Sequence, residues 1–190
     1  PIAGAVYIPW PCEDGGVVFH ARKEGGCFMN QEPVSIHKPD EPTLSPLVTL
    51  PSSFGKSYRF RDPTRSGLGE LRVTGSIAYE LVMAAKGVAR YTIVTNPHLW
   101  DVAGGSILIQ EAAGSVMLGH RTRGLRGLLS TTLHWEQLDS FFPHWMDRQI
   151  SMREARLWSH PLFLGTRRAV QDITANIKTD PLPRLLMGRK

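Results

Sequence analysis

A strand, a short turn and a glycine-containing helix follow one another between residues 90 and 114, and this order constrains the fold most. The run RYTIVT at 90–95 is rich in β-branched residues, which favour strands. We predict that the helix begins at Asp101, because an aspartate carboxylate accepts hydrogen bonds from the free N–H groups of a first turn. Gly114 is predicted to end the helix, because glycine readily takes the left-handed conformation at that position.

The pair Gly104–Gly105 lies inside the first turns of this predicted helix. Each glycine costs about 1 kcal/mol relative to alanine in a helix interior. The pair therefore predicts that another backbone, or a ligand, comes too close for a Cβ atom. A helix N-terminus with a carboxylate and open space above it suits a metal ion with a phosphate group. The alternative is that Asp101 only caps the helix.

Three short motifs in this region resemble those of a known enzyme family. The segments WDVAG at 100–104 and EAAG at 111–114 resemble the second signature of the inositol monophosphatase family, a group of magnesium-dependent, lithium-sensitive phosphatases of sugars and nucleotides. The segment GSIA at 75–78 precedes Asp101 at a spacing similar to the family's. The resemblance implies that Asp101 is a ligand of Mg²⁺ and that the substrate-binding loop consists of Gly75, Ser76 and Ile77. An ordinary helix start is the alternative for this loop.

The first signature of that family, Asp-Pro-x-Asp-Gly-Thr, has no counterpart in the chain. The nearest match begins at Asp62-Pro63-Thr64, but it lacks the second aspartate and the Gly-Thr pair, so we reject it. No catalytic residue can therefore be assigned. A single aspartate cannot assemble a Mg²⁺ site, since this ion needs several oxygen ligands in octahedral geometry. We expect the chain to be a fragment, the C-terminal part of a phosphomonoesterase, and to be inactive alone.

Val94 bears on the identity of the substrate. It stands seven residues before Asp101, where inositol-specific members of the family carry a glutamate that contacts sugar hydroxyls. Valine cannot accept those hydrogen bonds, so the substrate could be a different small sugar, polyol or nucleotide phosphate. The alternative function is a non-catalytic module that keeps the fold to bind a partner or an anion. Family members are often homodimers, so the resemblance also implies self-association.

The order of predicted elements indicates an α/β protein with α+β layers, and the resemblance implies part of an α-β-α-β-α fold. An antiparallel hairpin segment comes first, followed by a mixed sheet with flanking helices. We place a truncated N-terminal sheet layer at 1–38 and an α/β layer with the Trp-Asp motif at 47–142. A proline-bearing linker separates them. A Thr cap at 132 predicts that the second layer ends in a helix at 132–141. Residues 143–190 are predicted to form a basic, helical extension outside the resemblance, with helices at 152–158 and 166–177.

Charge and composition limit the classes of partner. The formal net charge is +5, but residues 1–142 hold 13 basic and 13 acidic side chains, so the excess lies in 143–190. A neutral body with a basic extension argues against nucleic-acid binding, which usually needs a basic patch on the folded body. The sequence has no signal peptide and no apolar run of about 20 residues, so we expect a cytoplasmic protein without a membrane segment. The two cysteines and seven histidines form no metal-binding spacing.

Overall fold

The computed structural model describes residues 1–9, 15–36, 47–54, 58–60, 69–123, 131–143 and 145–179. Among these residues, no helix is both long enough and apolar enough to span a bilayer. The helices are α1 (Ile77–Ala85), α2 (Leu99–Glu111), α3 (Met152–Leu157) and α4 (Arg167–Thr174). The strands are β1 (Ala3–Ile8), β2 (Val17–Arg22), β3 (Cys27–Met29), β4 (Glu32–Val34), β5 (Leu47–Thr49), β6 (Tyr58–Phe60), β7 (Glu70–Arg72), β8 (Tyr91–Val94), β9 (Ser115–Arg123), β10 (Thr131–Gln137), β11 (Leu162–Gly165) and β12 (Ile177–Thr179).

The first four strands form an antiparallel sheet in the order β1-β2-β3-β4. Side chains alternate between its two faces, as the period of two along a strand requires. In β2, for example, Phe19 and Ala21 are buried while His20 and Arg22 are exposed. The buried face lies against α2, so this sheet forms the first layer of the fold.

The second sheet has six strands in the order β10-β9-β11-β8-β5-β7 and is mixed, since β5 pairs in parallel with β7 and β8. Alternation along its central strands creates two cores. Val94 and Leu162 face the core that contains α1 and α2, whereas Ile93 and Phe163 face the core that contains α4. The layers therefore run sheet, helices, sheet, helix. The predicted class, an antiparallel segment followed by a mixed sheet with flanking helices, is confirmed.

The glycine pair in α2 is explained by packing on two sides. A Cβ atom on Gly105 would lie 2.4 Å from Cδ1 of Leu81, so this glycine lets α1 and α2 approach closely. Gly104 faces β1, where a Cβ atom on Gly4 would lie 2.5 Å from the carbonyl oxygen of Gly104. Of the two reasons that the sequence allows for the pair, close approach of another chain segment is found at Gly105; at Gly104 the close approach excludes a Cβ on Gly4, whereas a Cβ on Gly104 itself would lie 3.4 Å from the Ala5 carbonyl oxygen.

Two details of α2 differ from the prediction. The helix begins at Leu99, two residues before Asp101, and His98 is its N-cap. At the other end, the left-handed residue is Ala113, with φ of 67°, and not Gly114. Gly114 is required for packing instead, because a Cβ atom there would lie 2.6 Å from the side chain of Ile109.

The segment after residue 142 is not an extension, which corrects the predicted boundary. Strand β11 lies inside the six-stranded sheet and pairs antiparallel with β8 on one side and β9 on the other. Helix α4 covers one face of that sheet through Ala169, Val170 and Ile173. The two helices predicted in this segment are present as α3 and α4. Residues 180–190 lie outside the described part of the chain.

The segment 131–137 is a strand, although the sequence suggested a helix from a Thr cap at 132. Strand β10 pairs antiparallel with β9 along its full length, from Thr131 opposite Arg123 to Gln137 opposite Met117. The long strand β9 offers a complete set of hydrogen-bonding partners, and such pairing overrides local helix propensity.

Candidate active site

The predicted substrate-binding loop is the turn that leads into α1. Ser76 is the N-cap, and its hydroxyl accepts a hydrogen bond from the backbone N–H of Tyr79 at 3.4 Å. Gly75 has φ of +81°, a conformation that glycine takes without strain. A Cβ atom built on Gly75 would have no neighbour within 4 Å among the described residues, which therefore leave the space beside this glycine open. Ile77 follows as the first residue of the helix.

A buried carboxylate that the sequence did not single out holds this loop. Glu80 is only 6% exposed, and its Oε1 accepts hydrogen bonds from the backbone N–H of Thr74 at 3.0 Å and from the Thr74 hydroxyl at 2.9 Å. Glu80 is the one charged residue in the helix IAYELVMAA, and a single charge in an otherwise uncharged helix was the sequence signal that could have identified it. Charged side chains are rarely buried without partners, and here the partner is the loop itself.

Asp101 is the third residue of α2 and does not form its N-cap, which corrects the predicted helix start. Its Oδ2 accepts a hydrogen bond from the backbone N–H of His98 at 2.9 Å. Trp100 beside it is 62% exposed and stacks on the His98 ring, with the ring centroids 4.5 Å apart. The carboxylate therefore stabilises the helix start through one oxygen, as the alternative interpretation of Asp101 requires. The same bond fixes the position of the group.

Short connections join helices α1 and α2 to the strand β8 that lies between them in the chain. Helix α1 ends six residues before β8 starts, and α2 starts five residues after β8 ends. The Thr92 hydroxyl donates to the backbone carbonyl of Glu80 at 3.3 Å, so α1 lies alongside β8. Since the connections are short, the chain must run down α1, up β8 and down α2. Both helix starts then face the end of β8, although the separation of Ser76 and Asp101 stays a prediction.

The described residues do not by themselves make a metal centre. Within the ranges given above, no three or more His, Cys, Asp and Glu side chains are grouped so that they could hold a metal ion. Asp101 could supply one carboxylate ligand, which is fewer than Mg²⁺ requires.

Val94 ends strand β8 and is buried. It lies opposite Leu162 of β11 and contributes to the core that contains α1 and α2. An apolar side chain in this place offers no hydrogen-bond acceptor to a hydroxyl group.

Known proteins are similar to this chain in sequence and in fold. Residues 1–140 match the model of the inositol monophosphatase family. Human inositol monophosphatase 1 is 30% identical over 121 residues, which are 58% of this chain and 42% of that protein. Inositol monophosphatase of Dictyostelium discoideum is 27% identical over 108 residues, which are 53% of this chain and 39% of that protein. The chain thus spans about two fifths of the length of these curated relatives.

Solved structures show a similar fold at low identity. Staphylococcal IMPase-II is 18% identical with a TM-score of 0.55, and the similarity covers 92% of this chain and 55% of that one. A Pyrococcus horikoshii protein described as having similarities to inositol-1 monophosphatase is 14% identical with a TM-score of 0.56, over 92% and 57% of the two chains. Together with the family match over residues 1–140, these similarities lead to one conclusion. The chain belongs to the inositol monophosphatase family.

Proposed function

We propose that the chain forms the C-terminal part of a Mg²⁺-dependent phosphomonoesterase that hydrolyses a small sugar, polyol or nucleotide phosphate. Membership of the family gives the reaction class. The observation that carries the proposal is that α1 and α2 are both joined to β8 by short connections, from which we infer that their N-termini lie toward the same end of β8, one with a glycine turn and the other with a carboxylate. Helix N-termini favour anions, and a carboxylate beside a bound phosphate can help to hold a cation.

In this proposal, the loop Gly75–Ser76–Ile77 receives the phosphate of the substrate. Its backbone N–H groups lie at the positive end of the α1 dipole, and the described residues leave the space beside Gly75 open. Asp101 supplies one metal ligand through the oxygen that is not bonded to His98. Its other oxygen stays on the His98 N–H and keeps the carboxylate in place.

We further propose that the 190-residue chain alone has no appreciable Mg²⁺-dependent phosphatase activity. The described residues contain no group of three or more His, Cys, Asp and Glu side chains that could hold a metal ion, so Asp101 would need further ligands from elsewhere. The substrate also differs from that of inositol-specific members in this proposal, because Val94 cannot accept hydrogen bonds from sugar hydroxyls.

A second candidate function is a non-catalytic module that binds an anion or a partner with the same loop. The observation in its favour is that no metal-binding group of three or more side chains exists among the described residues. A module of this kind would retain phosphate binding at Gly75–Ser76–Ile77 but would not need Asp101 for it.

The test compares phosphate release by the chain alone and by the chain extended with its own upstream coding sequence. Both are assayed with Mg²⁺ on inositol 1-phosphate and on an adenosine monophosphate. We expect release only from the extended form, and Asp101→Asn should reduce its kcat by more than about 100-fold, since even outer partners of metal ligands cost about 10- to 100-fold. Sizing chromatography of the same samples tests the proposed homodimer.

The possible results separate the two candidate functions. An extended form that binds phosphate but releases none supports the non-catalytic module. Turnover by the chain alone that disappears in Asp101→Asn would show that the proposed inactivity is wrong.

A further inference from the structure

We propose that Glu80 is a positioning residue, which holds the loop Gly75–Ser76–Ile77 in the conformation that receives a phosphate group. This inference rests on the substrate-binding role proposed above for the loop. It adds to that role a residue that never touches the substrate. Glu80 would act through Thr74, and its removal would leave the loop present but disordered.

Within the described part of the chain, the side-chain hydrogen bonds of Glu80 both go to Thr74, the residue directly before the loop. Its Oε1 accepts both the backbone N–H and the hydroxyl of Thr74, at 3.0 Å and 2.9 Å. The side chain is buried, so water cannot replace either donor cheaply. A buried carboxylate that loses its hydrogen-bond donors is destabilised by its full desolvation free energy, so the pairing of Glu80 with Thr74 is strongly favoured over alternatives.

Thr74 transmits this constraint to the residues that follow. Its hydroxyl oxygen lies 3.4 Å from both the backbone N and the backbone O of Ser76. Gly75 stands between Thr74 and Ser76, and glycine can adopt many backbone conformations. With Thr74 fixed by Glu80 and Ser76 fixed as the helix cap, Gly75 is confined from both sides. Confinement of this kind removes an entropy cost from binding and so raises affinity.

The backbone of Glu80 is itself fixed to the strand that leads to Asp101. The Thr92 hydroxyl donates to the carbonyl oxygen of Glu80 at 3.3 Å, and Thr92 lies in β8 directly upstream of α2. Glu80 is therefore attached to the loop through its side chain and to β8 through its main chain. Through these two attachments it sets where the loop lies relative to the start of α2.

The test uses the full 190-residue chain with ¹⁵N labelling, in Mg²⁺ buffer titrated with inorganic phosphate. Amide shifts of Ser76 and Ile77 report binding, and hydrogen exchange at the Thr74 amide reports loop order. Glu80→Ala should accelerate that exchange and weaken phosphate binding by about 10- to 100-fold, as removal of outer partners does at metal ligands. Glu80→Gln should stay close to the wild type, because its amide oxygen can accept the same two hydrogen bonds.

Ser115→Ala is the matched control for a general loss of stability. Ser115 is also buried and donates one hydrogen bond, to Gln137 at 3.1 Å, but it lies at the start of β9. It should lower stability and leave phosphate binding unchanged. If Glu80→Ala does not fold, Thr74→Val removes one of the two hydrogen bonds and should weaken binding in the same direction.

Four results would overturn the inference, and they can be told apart. Equal phosphate affinity in Glu80→Ala and the wild type removes the role of Glu80 and leaves the proposed function standing. A Glu80→Gln variant as weak as Glu80→Ala shows that geometry is not the cause. Weakened binding in Ser115→Ala shows that affinity only follows stability. A wild type whose Ser76 and Ile77 amides do not respond to phosphate removes the proposed substrate loop, and Glu80 with it.

Discussion

Replacing Gly105 with alanine should destabilise the protein, whereas the same change at Gly104 should not. The two positions are neighbours in α2, so both variants gain the same helix propensity, about 1 kcal/mol each. They differ in what the new methyl group meets. At Gly105 it would lie 2.4 Å from Cδ1 and 2.7 Å from Cβ of Leu81, while at Gly104 its nearest neighbour is the Ala5 carbonyl oxygen at 3.4 Å.

The magnitude follows from those distances. Leu81 is fully buried, and its Cβ is fixed by the backbone, so rotation of the side chain cannot remove the clash. Overpacking of a core typically costs about 1–3 kcal/mol. Two contacts below 3 Å put Gly105→Ala in the upper part of this range, about 2–3 kcal/mol, so after the gain in propensity it should lose about 1–2 kcal/mol of unfolding free energy. Gly104→Ala should gain up to about 1 kcal/mol, because 3.4 Å is an ordinary contact.

The assay is reversible denaturant unfolding followed by far-ultraviolet circular dichroism, with thermal unfolding as a second measure. For a chain of this length, 1 kcal/mol corresponds to about 2–4 °C in Tm. The variants should therefore move in opposite directions from the wild type. A Gly105→Ala protein as stable as the wild type would refute the packing account. Equal losses at both positions would refute it too, since the distances differ by 1.0 Å.

Three further predictions follow from the same contacts. Truncation after Phe142 should abolish the cooperative thermal transition, because it removes β11 from between β8 and β9. Each buried side chain of β11 contributes about 1.5–3 kcal/mol to a total unfolding free energy of about 5–15 kcal/mol. A transition that is retained in circular dichroism would contradict this prediction. Glu111→Gln should lower the unfolding free energy by about 1–3 kcal/mol in denaturant titrations. The two carboxylate oxygens of Glu111 accept hydrogen bonds from the backbone N–H groups of Glu24 and Gly26, both at 2.9 Å, and the NH₂ group of a glutamine cannot accept such a bond. Burial, aided by the Glu111 charge, raises the pKa of the Cys27 thiol from 9.0 to about 11. As the pH rises, the thiol therefore loses its proton in the unfolded chain before it does so in the folded chain, and the unfolding free energy should fall between pH 9 and 11. Unfolding measured at several pH values should show a shallower fall in Cys27→Ala, and identical slopes would speak against this prediction.

Much of the local structure could be predicted because its causes lie within a few residues. Ser76 caps α1 as expected, and Gly87, with φ of +74°, follows its end. The strand before α2 and the two helices after residue 150 were also predicted correctly from periodicity and capping. The family resemblance identified the two segments of the candidate site, 75–77 and 100–104, from the sequence alone.

The errors arose where distant parts of the chain decide the outcome. Residues 143–179 resembled a detachable basic tail, because their charge differs from that of the body and they carry no family motif. Charge does not determine which strand enters a sheet. The apolar run of β11 fills the central place between β8 and β9, and that pairing joins residues about 45 or more positions apart in the chain. The segment 131–137 became a strand because it pairs with β9, the strand directly before it in the chain, and this pairing overrode the local helix signal.

The sequence by itself determined the class of the fold, the family and the start of α1 at its Ser76 cap, since caps, periodicity and motifs are local properties. Only the tertiary structure decided why residue 105 is a glycine, because the atoms that exclude a Cβ there come from Leu81 of α1. It also decided that Asp101 bonds to His98 as the third residue of the helix, and that Glu80 holds Thr74. Close approach and burial depend on which surfaces meet, and the order of residues alone does not specify that.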